Sequence, residues 1–235
     1  MSTSAASQQT AESPVAISHR YPPPARSEPF WPPQLTVLVA ILLQVLLPDR
    51  LSIGPRYLLP ALEGLMLLAL IIGSPQHLAA PHALRRRLTL AIVMLVSLAN
   101  GISLVLLCHF LLHHQLNGDG RALVIAGVLI WLNNVIIFSL WYWEIDRGGP
   151  GRRAAGCDDL PDFLFPQMTD EVARLYPDWR PQFVDYLYLA VTNATAFSPT
   201  DTMPLNAGVK LMMGSQSLIS LVTIGLVVSR AVGIL

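Results

Sequence analysis

Apolar residues in this chain come in unbroken blocks rather than in alternation with polar ones, and the blocks have the length of helices. Crossing a bilayer takes roughly 20 mainly apolar helical residues, with about 17 to 25 as the working range. Five blocks approach or reach that length. QLTVLVAILLQVLL, Gln34 to Leu47, is short unless Phe30 and Trp31 form its interfacial end. YLLPALEGLMLLALIIG runs from Tyr57 to Gly73, and LTLAIVMLVSLANGISLVLLCHFLL, Leu88 to Leu112, is long enough to tilt. ALVIAGVLIWLNNVIIFSLWYW, Ala122 to Trp143, ends in aromatic residues suited to the headgroup region. The fifth block fills Val209 to Leu235. The first three connections are short, so consecutive helices are expected to pack antiparallel. The pattern predicts an all-α transmembrane bundle of about five spans, without an internal repeat.

One stretch fits neither span nor loop. FVDYLYLAVTNATAFSPTDTMPLNAG, Phe183 to Gly208, starts as an apolar helix of half the spanning length and breaks at Ser198-Pro199-Thr200-Asp201. It reads as a re-entrant half-helix before the last span. The chain then divides into a disordered, Ser-, Ala- and Pro-rich tail (1–33), a four-helix membrane region (34–143), a polar loop with a short amphipathic piece (144–182), and the half-helix with the last span (183–235).

Composition agrees with a bilayer as solvent. Of the 235 residues 53% are hydrophobic and 13% charged, against about 25% charged in soluble domains. Zero net charge leaves no concentrated basic face for phosphates, which argues against a nucleic-acid partner. No basic n-region followed by an apolar core opens the chain, so a cleaved signal peptide is not expected. Cys108 and Cys157 show no metal-ligand spacing and read as free thiols. Arg and Lys favour the cytoplasmic side. With five spans, 11 of the 15 basic residues fall on the side of the tail, the second connection (Arg85, Arg86, Arg87) and the long loop. The N-terminus is therefore expected in the cytoplasm.

Polar residues at membrane depth are the default functional candidates, because an unpaired one in hydrocarbon is costly. Glu63 is the only carboxylate within a predicted span. It needs a basic partner, a water-filled cavity or a proton; a neutral acid bonded to a neighbouring helix and an ion or proton site both fit. Asn100, Asn133 and Asn134 read first as amide glue between helices. Gln216, Ser220 and Thr223 stand at i, i+4 and i+7, on one face of the last helix. That stripe can border water or form a close-packed seam. His109, His113 and His114 read as an interfacial cluster, and Asp158, Asp159 and Asp162 as a solvated turn. Asn193-Ala194-Thr195 matches a glycosylation sequon but lies in an apolar helix. No phosphate loop, nucleophile elbow or zinc-helix motif is present, so neither enzymatic activity nor a cofactor or metal is expected.

Phe183 to Leu235, clearest in YLAVT (Tyr188 to Thr192) and in the last helix, resembles the pore module of tetrameric potassium channels. The resemblance implies an outer helix (the fourth block), a pore helix (Asp185 to Thr195), a filter and an inner helix. It would put Thr192, Thr195 and Ser198 at a constriction, Asp201 at its mouth, and Gln216, Ser220 and Thr223 along the wall. Potassium filters present carbonyls through a glycine-containing sequence. Here Thr195 is followed by Ala196-Phe197-Ser198-Pro199-Thr200, without glycine, so potassium selectivity does not carry over. With WYWEIDRGGP and FVDYLYLAVTNATAFSPTD, the whole chain also resembles a group of bacterial five-span membrane proteins, which implies fold and plasma-membrane location but no activity. The expected function is a channel-like homo-oligomer in the lipid bilayer, a tetramer if the pore resemblance holds, passing monovalent ions. The alternatives are a non-transporting membrane scaffold and a proton-linked transporter using Glu63.

Overall fold

The computed structural model describes residues 29, 31–48, 51, 57–72, 82–112, 120–155, 159–195 and 201–232. Ser198, His113, His114, Cys157, Asp158 and nearly all of the expected tail lie outside the described residues.

Helix α1, Trp31–Leu46, opens on Pro32-Pro33, whose missing N–H groups cost nothing in a first turn, and stops before Pro48. Helix α2 is Leu58–Ile72, α3 His82–Leu112 and α4 Gly120–Ile145. After α4 come a 3-10 turn (Asp146–Gly148), the short α5 (Pro150–Ala154), strand β1 (Phe163–Leu164), a second 3-10 turn (Pro166–Met168) and the one-turn α6 (Asp170–Ala173). Helix α7, Phe183–Thr195, strand β2, Met203–Pro204, and helix α8, Ala207–Val232, complete the order. β1 and β2 pair antiparallel, Phe163 opposite Pro204 and Leu164 opposite Met203.

The chain is thus mostly helical, as expected, and three of the expected spans are matched among the described residues. Three described helices are long and apolar enough to cross a membrane: Arg85–Leu111, Arg121–Gly148 and Ala207–Val232. α1, with 16 residues, reaches about 24 Å at 1.5 Å per residue, short of a hydrocarbon core of about 30 Å, and the described part of α2 has 15 residues. Both are nevertheless built into the bundle, α1 against α2 and α4, and α2 against α3.

α4 is the centre of the molecule. It is apolar on every face and packs against α1, α3, α7 and α8. Of its membrane-length window 61% is buried inside the chain, against 28% for α3 and 22% for α8. The core has two parts. One joins Val37, Ala40 and Ile41 of α1 to Val135, Ile137, Leu140 and Tyr142 of α4 and to Tyr186 and Leu189 of α7. The other joins Leu47 and Leu51 to Leu107, Leu123, Ala126 and Ile130 at the opposite end of α4.

Candidate functional site

Where α4 ends, Asp146, Arg147, Gly148 and Gly149 turn the chain back on itself. Arg147, Gly148 and Gly149 have φ of 51°, 74° and 96°, left-handed values that favour glycine. At Gly149 a Cβ would also stand 3.1 Å from the Glu144 carbonyl oxygen and from its Oε2. The turn presents the carboxylate of Asp146, itself 1% exposed, to the segment that follows. Asp146 Oδ1 accepts from the Asp162 backbone N–H at 2.9 Å, and Oδ2 accepts from the Tyr186 hydroxyl at 2.6 Å. Arg153 closes the arrangement, donating to the carbonyls of Trp143 and Asp146, each at 2.8 Å. Its guanidinium lies 5.4 Å from the Tyr186 ring centroid and 5.9 Å from that of Trp143. A cation on the last carbonyls of a helix satisfies orphan acceptors and complements the negative end of the helix dipole.

The polar connection is therefore folded onto the α4 terminus. Asp162, expected in a solvated turn, is a junction instead: its Oδ2 accepts from the Arg147 N–H at 2.8 Å and its Oδ1 from the Asn206 amide. Its carbonyl accepts from the Leu205 N–H at 2.9 Å. Asn206 caps α8 through Oδ1 and the Val209 N–H, 2.8 Å apart. Burial pushes the Asp162 carboxyl above the ordinary carboxylate range, with the Arg147 N–H bond pulling the other way and the nearby Asp146 charge adding to the rise. Asp159 meets Arg152 at 2.6 Å on the surface, where such a pair contributes little.

Deeper in the bundle a polar seam joins α4, α7 and α8. Gln216, Ser220 and Thr223 are all 0% exposed. Gln216 Oε1 accepts from the Tyr142 hydroxyl at 2.6 Å and from Asn193 Nδ2 at 2.7 Å, while its Nε2 donates to the Ala190 carbonyl at 2.8 Å. Asn193 Nδ2 also donates to the Met213 carbonyl at 2.9 Å, and Ser217 donates to Asn193 Oδ1 at 3.1 Å. Ser220 accepts from Asn134 Nδ2 at 3.1 Å. Thr223 donates to the Ile219 carbonyl of its own helix at 2.7 Å. On the other side of α4, Asn133 Nδ2 donates to Asn100 Oδ1 at 3.3 Å.

The pore-type candidates of α7 lie apart from this seam. The Thr192 hydroxyl turns back to the carbonyls of Tyr188 and Leu189, each at 3.0 Å. Thr195 is exposed and bonds the Val191 carbonyl at 2.8 Å, and Asp201 is exposed. The sequence stripe thus comes together with the amides, the threonines do not join it, and Glu63 lies elsewhere, on α2. Tyr142, Asp146, Arg153, Tyr186 and Asn193 were not among the candidates. The run WYWEIDRGGP held the one available signal: a carboxylate and a left-handed turn directly after an apolar helix. Among the described residues no group of three His, Cys, Asp or Glu side chains is placed to hold a metal ion. No protein-family model, curated protein or solved structure matches the chain.

Proposed function

We propose that the protein is an integral membrane protein of the bacterial plasma membrane that serves as a non-transporting scaffold, its C-terminal third being a re-entrant half-helix locked onto the bundle. The single observation that carries this reading is the fate of the α8 stripe. Ion-conducting surfaces replace a hydration shell with free oxygen lone pairs. Here the Gln216 oxygen already accepts two hydrogen bonds, and the stripe is buried within one chain. The re-entrant course is supported by contacts at one end of the bundle. α7 starts with Phe183 against Trp143, 6.0 Å between ring centroids, and β2 brings the chain back beside β1. A 13-residue helix covers about 20 Å, and backbone at that depth is tolerated only when protein or water surrounds it.

The second reading, a channel-like oligomer, draws on the exposed Thr195 and Asp201, which would face one another around a fourfold axis. One experiment separates the two. Purified protein reconstituted in planar bilayers and liposomes is expected to pass no ions above background, and Gln216→Leu is expected to weaken the fold without altering that silence. Unitary currents changed by Thr195→Ala or Ser220→Leu would replace the scaffold with the channel.

A further inference from the structure

Glu63 of α2 is 0% exposed, and neither of its carboxyl oxygens has a hydrogen-bond partner. Among the described residues no basic side chain pairs with it. The polar group set against it is the carboxamide of Gln44 on α1, which approaches the carboxyl as a hydrogen-bond donor without reaching good bonding geometry, so that Gln44 Nε2 also lacks a closed bond. The level of this pair in the bundle follows from its neighbours. Ile41, one turn before Gln44, belongs to the core part around Val135, and Leu47, one turn after, to the part around Ile130. Two adjacent helices thus set a carboxyl and an amide against each other, with apolar core residues before and after Gln44 on α1.

Such a pair is costly as a bare carboxylate, because a buried charge without a partner loses its hydration with nothing in return, and far less so as a neutral acid. α1 contains no charged residue. On α3, the charged and titratable groups sit toward its ends, Arg85, Arg86 and Arg87 at one and Cys108 and His109 at the other. Nothing in this surrounding favours a charge at the centre. The third element, α4, carries Arg121 at one end and Glu144 at the other.

We propose that Glu63, with Gln44 beside it, is a proton-binding site in the membrane interior, held as the neutral acid. The inference is independent of the scaffold reading, because it concerns α1 and α2 rather than the α4–α7–α8 seam. A neutral buried acid reacts with a lipid-soluble dialkylcarbodiimide. The carboxyl proton passes to one carbodiimide nitrogen as the carboxyl oxygen bonds the central carbon. Acyl migration from oxygen to nitrogen then leaves a stable N-acylurea, and no atom departs.

Wild-type protein in lipid vesicles is treated with dicyclohexylcarbodiimide, digested and mapped by mass spectrometry. The adduct is expected on the peptide containing Glu63, falling as the pH is raised and unchanged by Na+ or K+. Infrared spectra are expected to show the carbonyl band of a protonated acid that Glu63→Gln removes. The absence of that carbonyl band in folded wild-type protein overturns the proposal. Protection by Na+ or K+ overturns it too, assigning the site to a metal cation instead of a proton.

Discussion

At the scale of single residues, the structure concentrates its constraints where α4 ends. Gly149 combines a φ of 96° with a Cβ position 3.1 Å from the Glu144 carbonyl. Gly149→Ala is expected to lower stability by about 1–3 kcal/mol, measured as a shift of the denaturation midpoint in detergent micelles. Arg153 reaches the carbonyls of Trp143 in α4 and Asp146 in the following turn with one nitrogen, while its planar guanidinium lies over two rings. A lysine lacks that planar fork, so Arg153→Lys is expected to cost about 1–2 kcal/mol in the same assay. Gln216→Leu removes the acceptor of the Tyr142 hydroxyl and the side-chain donor to the Ala190 carbonyl, while Asn193 keeps the Met213 carbonyl. Hydrogen bonds between membrane helices are worth only about 1 kcal/mol singly, but two partners left unmatched raise the expected loss to about 2–3 kcal/mol. Glu63, Asn133 and Gln216 were legible in the sequence because any polar side chain stands out within an apolar block. Arg153 was not, since it sits in a stretch already polar, and Asp146 was marked only by its place before Gly148-Gly149 at the end of an apolar helix.

At the scale of elements, the segment between α4 and α7 holds the main difference from the sequence reading. It looked like a solvated loop because its composition is polar, and composition carries no information about which polar groups satisfy one another. In the structure Asp162 links this segment to Arg147 behind it and to Asn206 ahead. Its carboxyl is raised by burial first, so its neutral form is favoured in the folded state. The stabilisation that follows is fully present below the unfolded carboxylate value of about 3.9 and is lost as the pH rises through the higher folded value. The stability difference between wild type and Asp162→Asn is therefore expected to move in favour of wild type as the pH is lowered through that window. Parallel stability curves for the two proteins would contradict it. α7 was legible as a half-helix from its length alone. Its buried face (Phe183, Tyr186, Leu189, Ala190, Asn193) was not separable from its outward threonines until α4 and α8 were packed against it.

For the whole molecule, one end of the bundle gathers the start of α3, the α4 turn and the start of α8. Arg85 acts electrostatically on Glu144, and Arg86 Nε lies 3.8 Å from the Cβ position at Gly149. On the membrane reading proposed above, the surplus of arginines at this end is expected to face the cytoplasm. In a variant carrying Leu175→Cys, a position 74% exposed, with both native cysteines replaced by serine, a membrane-impermeant thiol reagent is expected to label inside-out vesicles and spare intact cells. Labelling of intact cells would reverse the orientation. By itself the sequence determined that the chain is helical and apolar enough for a bilayer, where its helices lie and which polar side chains fall within them. Those properties follow from local composition and period, which need no knowledge of neighbours. Only the tertiary structure decided that the α8 stripe meets Asn193, Asn134 and Tyr142, that Asp146 and Arg153 fasten the connection to α4, and that Glu63 stands opposite Gln44. The side-chain pairs of the seam stand 23 to 86 positions apart, and even the nearer Arg153 contacts depend on how the chain turns after α4, so each bond depends on which elements touch rather than on local composition.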